Sequence, residues 1–226
     1  MKFTFYTLLF LFVAVNMRAQ LLSVAPAFPQ DNSTVTITVD CAKGNKGLLN
    51  YVNPGDVYVH TGVITSSSAS SSDWRYVKFS NFNVGDPSVK ATALGNNKYS
   101  FTITNIRSFY GVPAGETIKK IAILFRNGAG SVVQRNSDAS DMYLTVYGAS
   151  LAGKFALPLM EPRFVSVAEP IQKNVGDNIG MAYTVLNRAR SAWFLTERRS
   201  TPRTMPIVFM PTLLLPLADR SRSLEQ

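Results

Sequence analysis

The chain has 226 residues, of which 46% are apolar, and a formal charge of +9. That apolar share is ample for a buried core and excludes wholesale disorder, and the length allows one well-formed domain or one domain plus a fragment. Cys41 and His60 are each alone. Together they exclude an intramolecular disulfide and a Cys/His zinc cluster, so the domain is expected to be held by packing, with no metal and no cofactor.

Residues 1–19 read as a secretory signal peptide. Lys2 supplies a positive start, an apolar run follows from Phe3 to Val15, and Met17-Arg18-Ala19 precedes the expected cut before Gln20. The run falls short of the roughly 20 apolar residues that a spanning helix needs. The expectation is therefore export to the medium, periplasm or cell surface, with no stable membrane insertion after cleavage. Loss of Lys2 and Arg18 leaves a charge of +7. The remaining positive residues are scattered singly between strands, without the basic stripe that a nucleic-acid partner requires.

From Thr34 the pattern has period two. Val35, Ile37 and Val39 alternate with Thr36, Thr38 and Asp40, which predicts a half-buried strand. Further strands are predicted over Val57 to Val63, Trp74 to Phe79, Lys98 to Ile103, Ile118 to Phe125, Val132 to Arg135 and Met142 to Tyr147. A short extra strand is predicted at Ala91 to Leu94. Turn signals separate them, notably Asn53-Pro54-Gly55, Gly95-Asn96-Asn97 and Asn127-Gly128-Ala129-Gly130. Ile118 to Phe125 is the most apolar and is expected to be central. Some seven short strands without a convincing helix argue for an all-β fold, an immunoglobulin-like antiparallel β-sandwich over residues 20–150. Its expected core is Val35, Ile37, Val39, Val57, Val59, Val77, Phe79, Phe101, Ile103, Ile121, Ile123, Phe125, Leu144 and Val146.

After Tyr147 the texture changes. Pro158, Pro162 and Pro170 punctuate residues 151–177, read as a linker and the start of a truncated second β-domain from about Phe164. Residues 178–226 contain seven Arg and no Lys, whereas residues 1–177 contain ten Lys and six Arg. Prolines interrupt the apolar run Met205 to Leu217, which has neither strand alternation nor a sustained helical period. An irregular tail is expected there, and a shifted reading frame near Gly180 would produce such a break.

Chemistry-bearing patterns are sparse. No pair of carboxylates is marked out by spacing as glycoside hydrolysis requires, and there is no Gly-x-Ser-x-Gly elbow or phosphate-cradling glycine loop. No catalytic residue is therefore assigned. Strand parity gives a positive clue: Trp74, Tyr76 and Lys78 share one face and Val77 and Phe79 the other. A lysine does not point into a core, so Trp74 and Tyr76 are expected to point outward with it. By the same count Tyr58 and His60 lie opposite Val57 and Val59, and Tyr143 lies opposite Met142 and Leu144. Outward rings beside polar groups suit a sugar, whose C–H face packs on the ring while its hydroxyls take hydrogen bonds. Outward aromatics also cover sheet faces in ordinary sandwiches.

The runs Asp56-Val-Tyr-Val-His-Thr-Gly-Val63, Asp73-Trp-Arg-Tyr-Val-Lys78 and Leu94-Gly-Asn-Asn-Lys-Tyr99 carry a resemblance to a known family. So do Phe109-Tyr-Gly-Val-Pro-Ala-Gly-Glu116, Ile121-Ala-Ile-Leu-Phe-Arg-Asn-Gly128 and Gln134-Arg-Asn136 to Asp141-Met-Tyr143. In this order they resemble the N-terminal immunoglobulin-like, starch-binding-type domain of secreted bacterial α-amylases. The resemblance implies a non-catalytic module that accompanies a barrel-shaped hydrolase of α-glucans. A barrel needs about 200 residues or more, and fewer than 50 follow Asp177, so kinship with amylases would be inherited from the full-length family. Where such domains often carry a second Trp after the position of Lys78, this chain has Phe79-Ser-Asn-Phe82.

The leading expectation is thus an α-glucan-binding accessory domain. Trp74 and Tyr76 would stack, and Lys78, Arg126, Asn127, Arg135 and Asp141 would supply polar contacts. The alternatives are a spacer or surface-attachment module, which predicts that Trp74 does not cluster with Tyr58 or Tyr143, and a hydrolase in its own right, which would release reducing sugar.

Overall fold

A computed structural model describes residues 20–150, 152–171, 173–174, 176–185 and 195–197. The expected signal peptide and most of the expected tail lie outside the described residues. The first part of the chain forms β1 (Leu22–Ala25), β2 (Val35–Asp40), β3 (Val57–Thr65), β4 (Arg75–Lys78), β5 (Thr92–Gly95) and β6 (Lys98–Ile103). A short helix α1 (Ile106–Tyr110) follows, then β7 (Ile118–Asn127), β8 (Val133–Gln134) and β9 (Met142–Thr145). One sheet has the order β1-β2-β6-β5. The other has the order β4-β3-β7-β8, with β9 also paired to β7, and every pair is antiparallel. Strands 1, 2, 5 and 6 against 3, 4, 7 and the final pair is the immunoglobulin-like arrangement of a two-sheet sandwich.

The alternation in β2 places Val35, Ile37 and Val39 wholly inside and leaves Thr36 and Thr38 half-buried. Its partner β6 presents Phe101 and Ile103 to the same side, in register with Ile37 and Val35. From the other sheet Val57, Val59, Val63, Ile121, Ile123 and Phe125 close the core. Strand β7 lies between β3 on one side and β8 and β9 on the other, and nearly all its side chains are buried. Of the expected core residues, Val77 and Phe79 are only half-buried. Val77 lies inside the register shift of β4 against β3, and Phe79 follows the end of β4 at φ +48°.

Strand β1 and helix α1 were not expected. Helix α1 begins at Asn105, whose side chain accepts from the Ser108 N–H at 3.0 Å, and ends at Gly111 in the left-handed conformation. It brings Ile106 and Tyr110 into the core, where the hydroxyls of Tyr110 and Thr61 lie 2.6 Å apart.

Beyond the sandwich, β10 (Gly153–Leu157), β13 (Ile179–Val185) and β14 (Leu195–Glu197) form a three-stranded sheet, and β11 (Met160–Glu161) pairs with β12 (Val167–Ala168). Within the segment expected to be irregular, β13 pairs with β10 over Ala182–Val185 and with β14 over Ile179–Met181. Among the described residues no helix is long and apolar enough to cross a membrane.

Candidate functional site

The parity count fails inside β4. Two steps along β3, from Thr61 to Val63, face three along β4, from Lys78 to Arg75, and Tyr76 adopts φ +53°. One extra residue in a strand re-aims the side chains beyond it. Trp74 consequently packs on the outer surface of the second sheet, against Ile64, Ala122 and Tyr143. Tyr76 instead packs against the main core. Its hydroxyl donates to Glu116 Oε2 at 2.5 Å, and the Thr65 hydroxyl donates to the other carboxylate oxygen. These bonds, Thr65 first, hold the Glu116 carboxyl below the usual carboxylate range, and the same carboxylate pushes the Tyr76 phenol up. The Lys78 ammonium lies 5.4 Å from the centroid of Phe109, a ring packed on the main core. Trp74 and Tyr76 therefore do not form one platform.

Arg126 points to the outer surface beside Tyr58 but is completely buried. Its guanidinium donates to the carbonyls of Asn127, Gly128, Asn81 and Val84, the first, second and last at 2.9, 3.0 and 2.9 Å. The Phe82 ring lies 5.0 Å away. The residue latches the loop after β4 across the sheet and offers nothing to a ligand from solvent. Asn127 is also structural: its side chain donates to Ser131 Oγ and accepts from the Val132 N–H, each at 3.0 Å, which closes the β7–β8 turn.

What the tertiary structure does assemble is a row of rings. Phe82 meets His60 edge-on at 5.1 Å, His60 stacks on Trp74 at 5.6 Å and 25°, and Trp74 meets Tyr143 edge-on at 6.2 Å. Phe164 then meets Tyr143 at 5.3 Å. The Trp74 indole N–H donates to the Tyr143 hydroxyl at 3.3 Å, and that hydroxyl donates to the Ser71 carbonyl at 2.8 Å. Tyr143 is buried, whereas Trp74, His60, Phe82 and Phe164 remain half-buried. The row crosses the outer face because Tyr58, His60 and Ile64 on β3, Ala122 on β7 and Tyr143 on β9 emerge on the same side of the sheet, with Ala122 directly opposite Tyr143.

At one end of the row opens a cleft of 530 Å³, lined by Ser71, Ser72, Ser140, Tyr143 and Phe164 together with charged groups. Here Arg135 pairs with Asp141, and Arg163 pairs with Asp138 at 2.7 Å and Glu161 at 2.6 Å. Of the residues expected to contact a ligand, Arg135 and Asp141 line this cleft, Trp74 adjoins it through its contact with Tyr143, and Tyr76, Lys78, Arg126 and Asn127 lie elsewhere. The structure adds Arg163 and Phe164. Nothing in the local pattern signalled those two, because they belong to a segment beyond the sandwich.

His60 is partly stripped of water, and its Nδ1 is buried with no hydrogen-bond partner. Burial first, and the positive charge of Arg126 second, pull its pKa below the ordinary 6.5. The ring is thus neutral at physiological pH. Among the described residues no three His, Cys, Asp or Glu side chains converge to hold a metal ion. Neither the known protein-family models nor the curated proteins yield a match to this chain.

Proposed function

We propose that this chain is a non-catalytic carbohydrate-binding module, exported by its leader, that takes a neutral α-glucan on the outer face of its second sheet. The single observation that carries the reading is the half-buried aromatic row running into an open cleft edged by paired charges. Trp74 offers a flat ring for the C–H face of a glucose unit. Arg135 and Asp141, already paired, present a donor and acceptors to hydroxyls without leaving a net charge in the cleft. A single site of this type should bind at roughly 10 µM to 1 mM, about −7 to −4 kcal/mol. The resemblance to amylase-associated starch-binding domains supports the choice of an α-glucan.

Affinity electrophoresis through amylopectin tests it. The wild-type chain is expected to be retarded, and Trp74→Ala to lose about five- to tenfold in affinity while its circular dichroism stays native. Equal retardation of the variant, or passage of the wild type unhindered through every glucan tried, ends this reading.

A second reading is favoured by one contact. The Tyr143 N–H donates to the Pro162 carbonyl at 2.6 Å, and Phe164 meets the Tyr143 ring, so the edge of the second sheet at β9 docks the segment that follows the sandwich. On this view the domain is a spacer, and the rings cement the junction to its neighbour. Absence of any glucan binding, with Trp74→Ala lowering stability, selects it.

A further inference from the structure

We propose that the cleft is a composite site, one wall of it supplied by the strap around residues 160–165, so that glucan binding and docking of this strap on the sandwich are coupled. The inference rests on the glucan reading and adds what regulates the site.

The strap lies outside the sandwich yet forms one wall of the cleft. It is fastened at several points, among them the Ser137 hydroxyl of the sandwich, which donates to Glu161 Oε1 at 2.5 Å. The Met160 carbonyl accepts from Gln20 Nε2 at 2.9 Å, and the Pro162 carbonyl accepts from the Tyr143 N–H. Arg163 reaches Asp138 of the sandwich. Phe164 sets its ring edge-on to Tyr143, with the Lys120 ammonium 5.5 Å from its centroid. The opposite wall comes from the sandwich itself: Ser71 and Ser72, Arg135 and Asp141, and the same Tyr143.

A ligand seated between two walls contacts both only when the strap is docked. It therefore binds that state preferentially and raises its population, and a strap that docks well raises affinity by the same factor. In a longer protein this would stiffen the junction between the module and whatever follows when sugar is bound.

The test uses the full chain with maltoheptaose as probe. Hydrogen exchange of the Tyr143 amide, which bonds directly to the strap, should slow on adding saturating sugar, while amides of β2 and β6 in the opposite sheet keep their rates. Phe164→Ala should weaken binding about fivefold and speed Tyr143 exchange, and Phe164→Trp should restore both. Arg163→Gln, which cuts the link to Asp138 without removing the ring, gives a second route should Phe164→Ala fold poorly, and it should weaken binding in the same direction. Full affinity in both Phe164→Ala and Arg163→Gln, or a Tyr143 exchange rate indifferent to bound sugar, overturns the coupling while leaving the glucan reading intact. A wild-type chain that binds no glucan removes the glucan reading, and the coupling with it.

Discussion

Arg126 carries its charge beneath the surface and directs its hydrogen bonds to main-chain carbonyls from two stretches of chain, Asn127-Gly128 and the loop containing Asn81 and Val84. A guanidinium can serve several acceptors at once in a fixed plane, and an ammonium cannot. Arg126→Ala strands those carbonyls and removes the support under Phe82, so it should destabilise the domain by about 2–4 kcal/mol in urea unfolding, with Arg126→Lys recovering little of the loss. His60 makes a different prediction. Its folded pKa is depressed below 6.5, so the fold prefers the neutral ring. Stability is then fully present above the unfolded value and is lost as pH falls from about 6.5 through the folded pKa. Thermal unfolding measured from about pH 7.5 to 5.5, a range above the titration of Glu116, should show a falling melting temperature in the wild type. The same scan on His60→Phe should be flatter.

Among the elements, β2, β6 and β7 were legible from the sequence almost residue for residue. Their alternation or unbroken apolar run reports a local fact, that successive side chains of an extended strand leave on opposite sides. The outward placement of His60 and Tyr143 was legible for the same reason. Strand β4 shows where such counting stops. The residues from Trp74 to Phe79 look like a regular strand, yet Tyr76 and Phe79 both take positive φ and a bulge intervenes. That distortion sits at the register shift of β4 against β3, which its own residues do not announce. Strand β8 is similarly shaped from afar. The loop at residues 43–47 is stitched to it by Asn45, which donates from Nδ2 to the Val133 carbonyl and accepts from the Arg135 N–H, both at 2.9 Å. Gly47 lies so close to the Val133 carbonyl that a Cβ would collide with it. The position of Arg135 in the cleft thus depends on a loop some ninety residues earlier in the chain.

At the level of the whole molecule, the sandwich is held by packing across two sheets, and Cys41 sits inside that packing with no exposed surface. Burial, reinforced by the neighbouring Asp40 charge, pushes its thiol up to about 12. At pH 8 both access and thiolate are missing, so a thiol reagent should label the native chain only through global unfolding. Labelling that tracks the urea unfolding curve is the expected result, and rapid labelling in native buffer would show that the two sheets part locally at β2. Residue pattern was sufficient for the all-β class, the strands and most of the core, since each follows from the geometry of a few neighbouring residues and the need to hide apolar faces from water. It could not say which outward side chains stay free. Arg126 is sealed by a descending loop, Tyr76 is turned inward by a bulge, and Phe164 is carried to Tyr143 by a strap. All three outcomes depend on contacts between residues far apart in the chain, which no local period encodes.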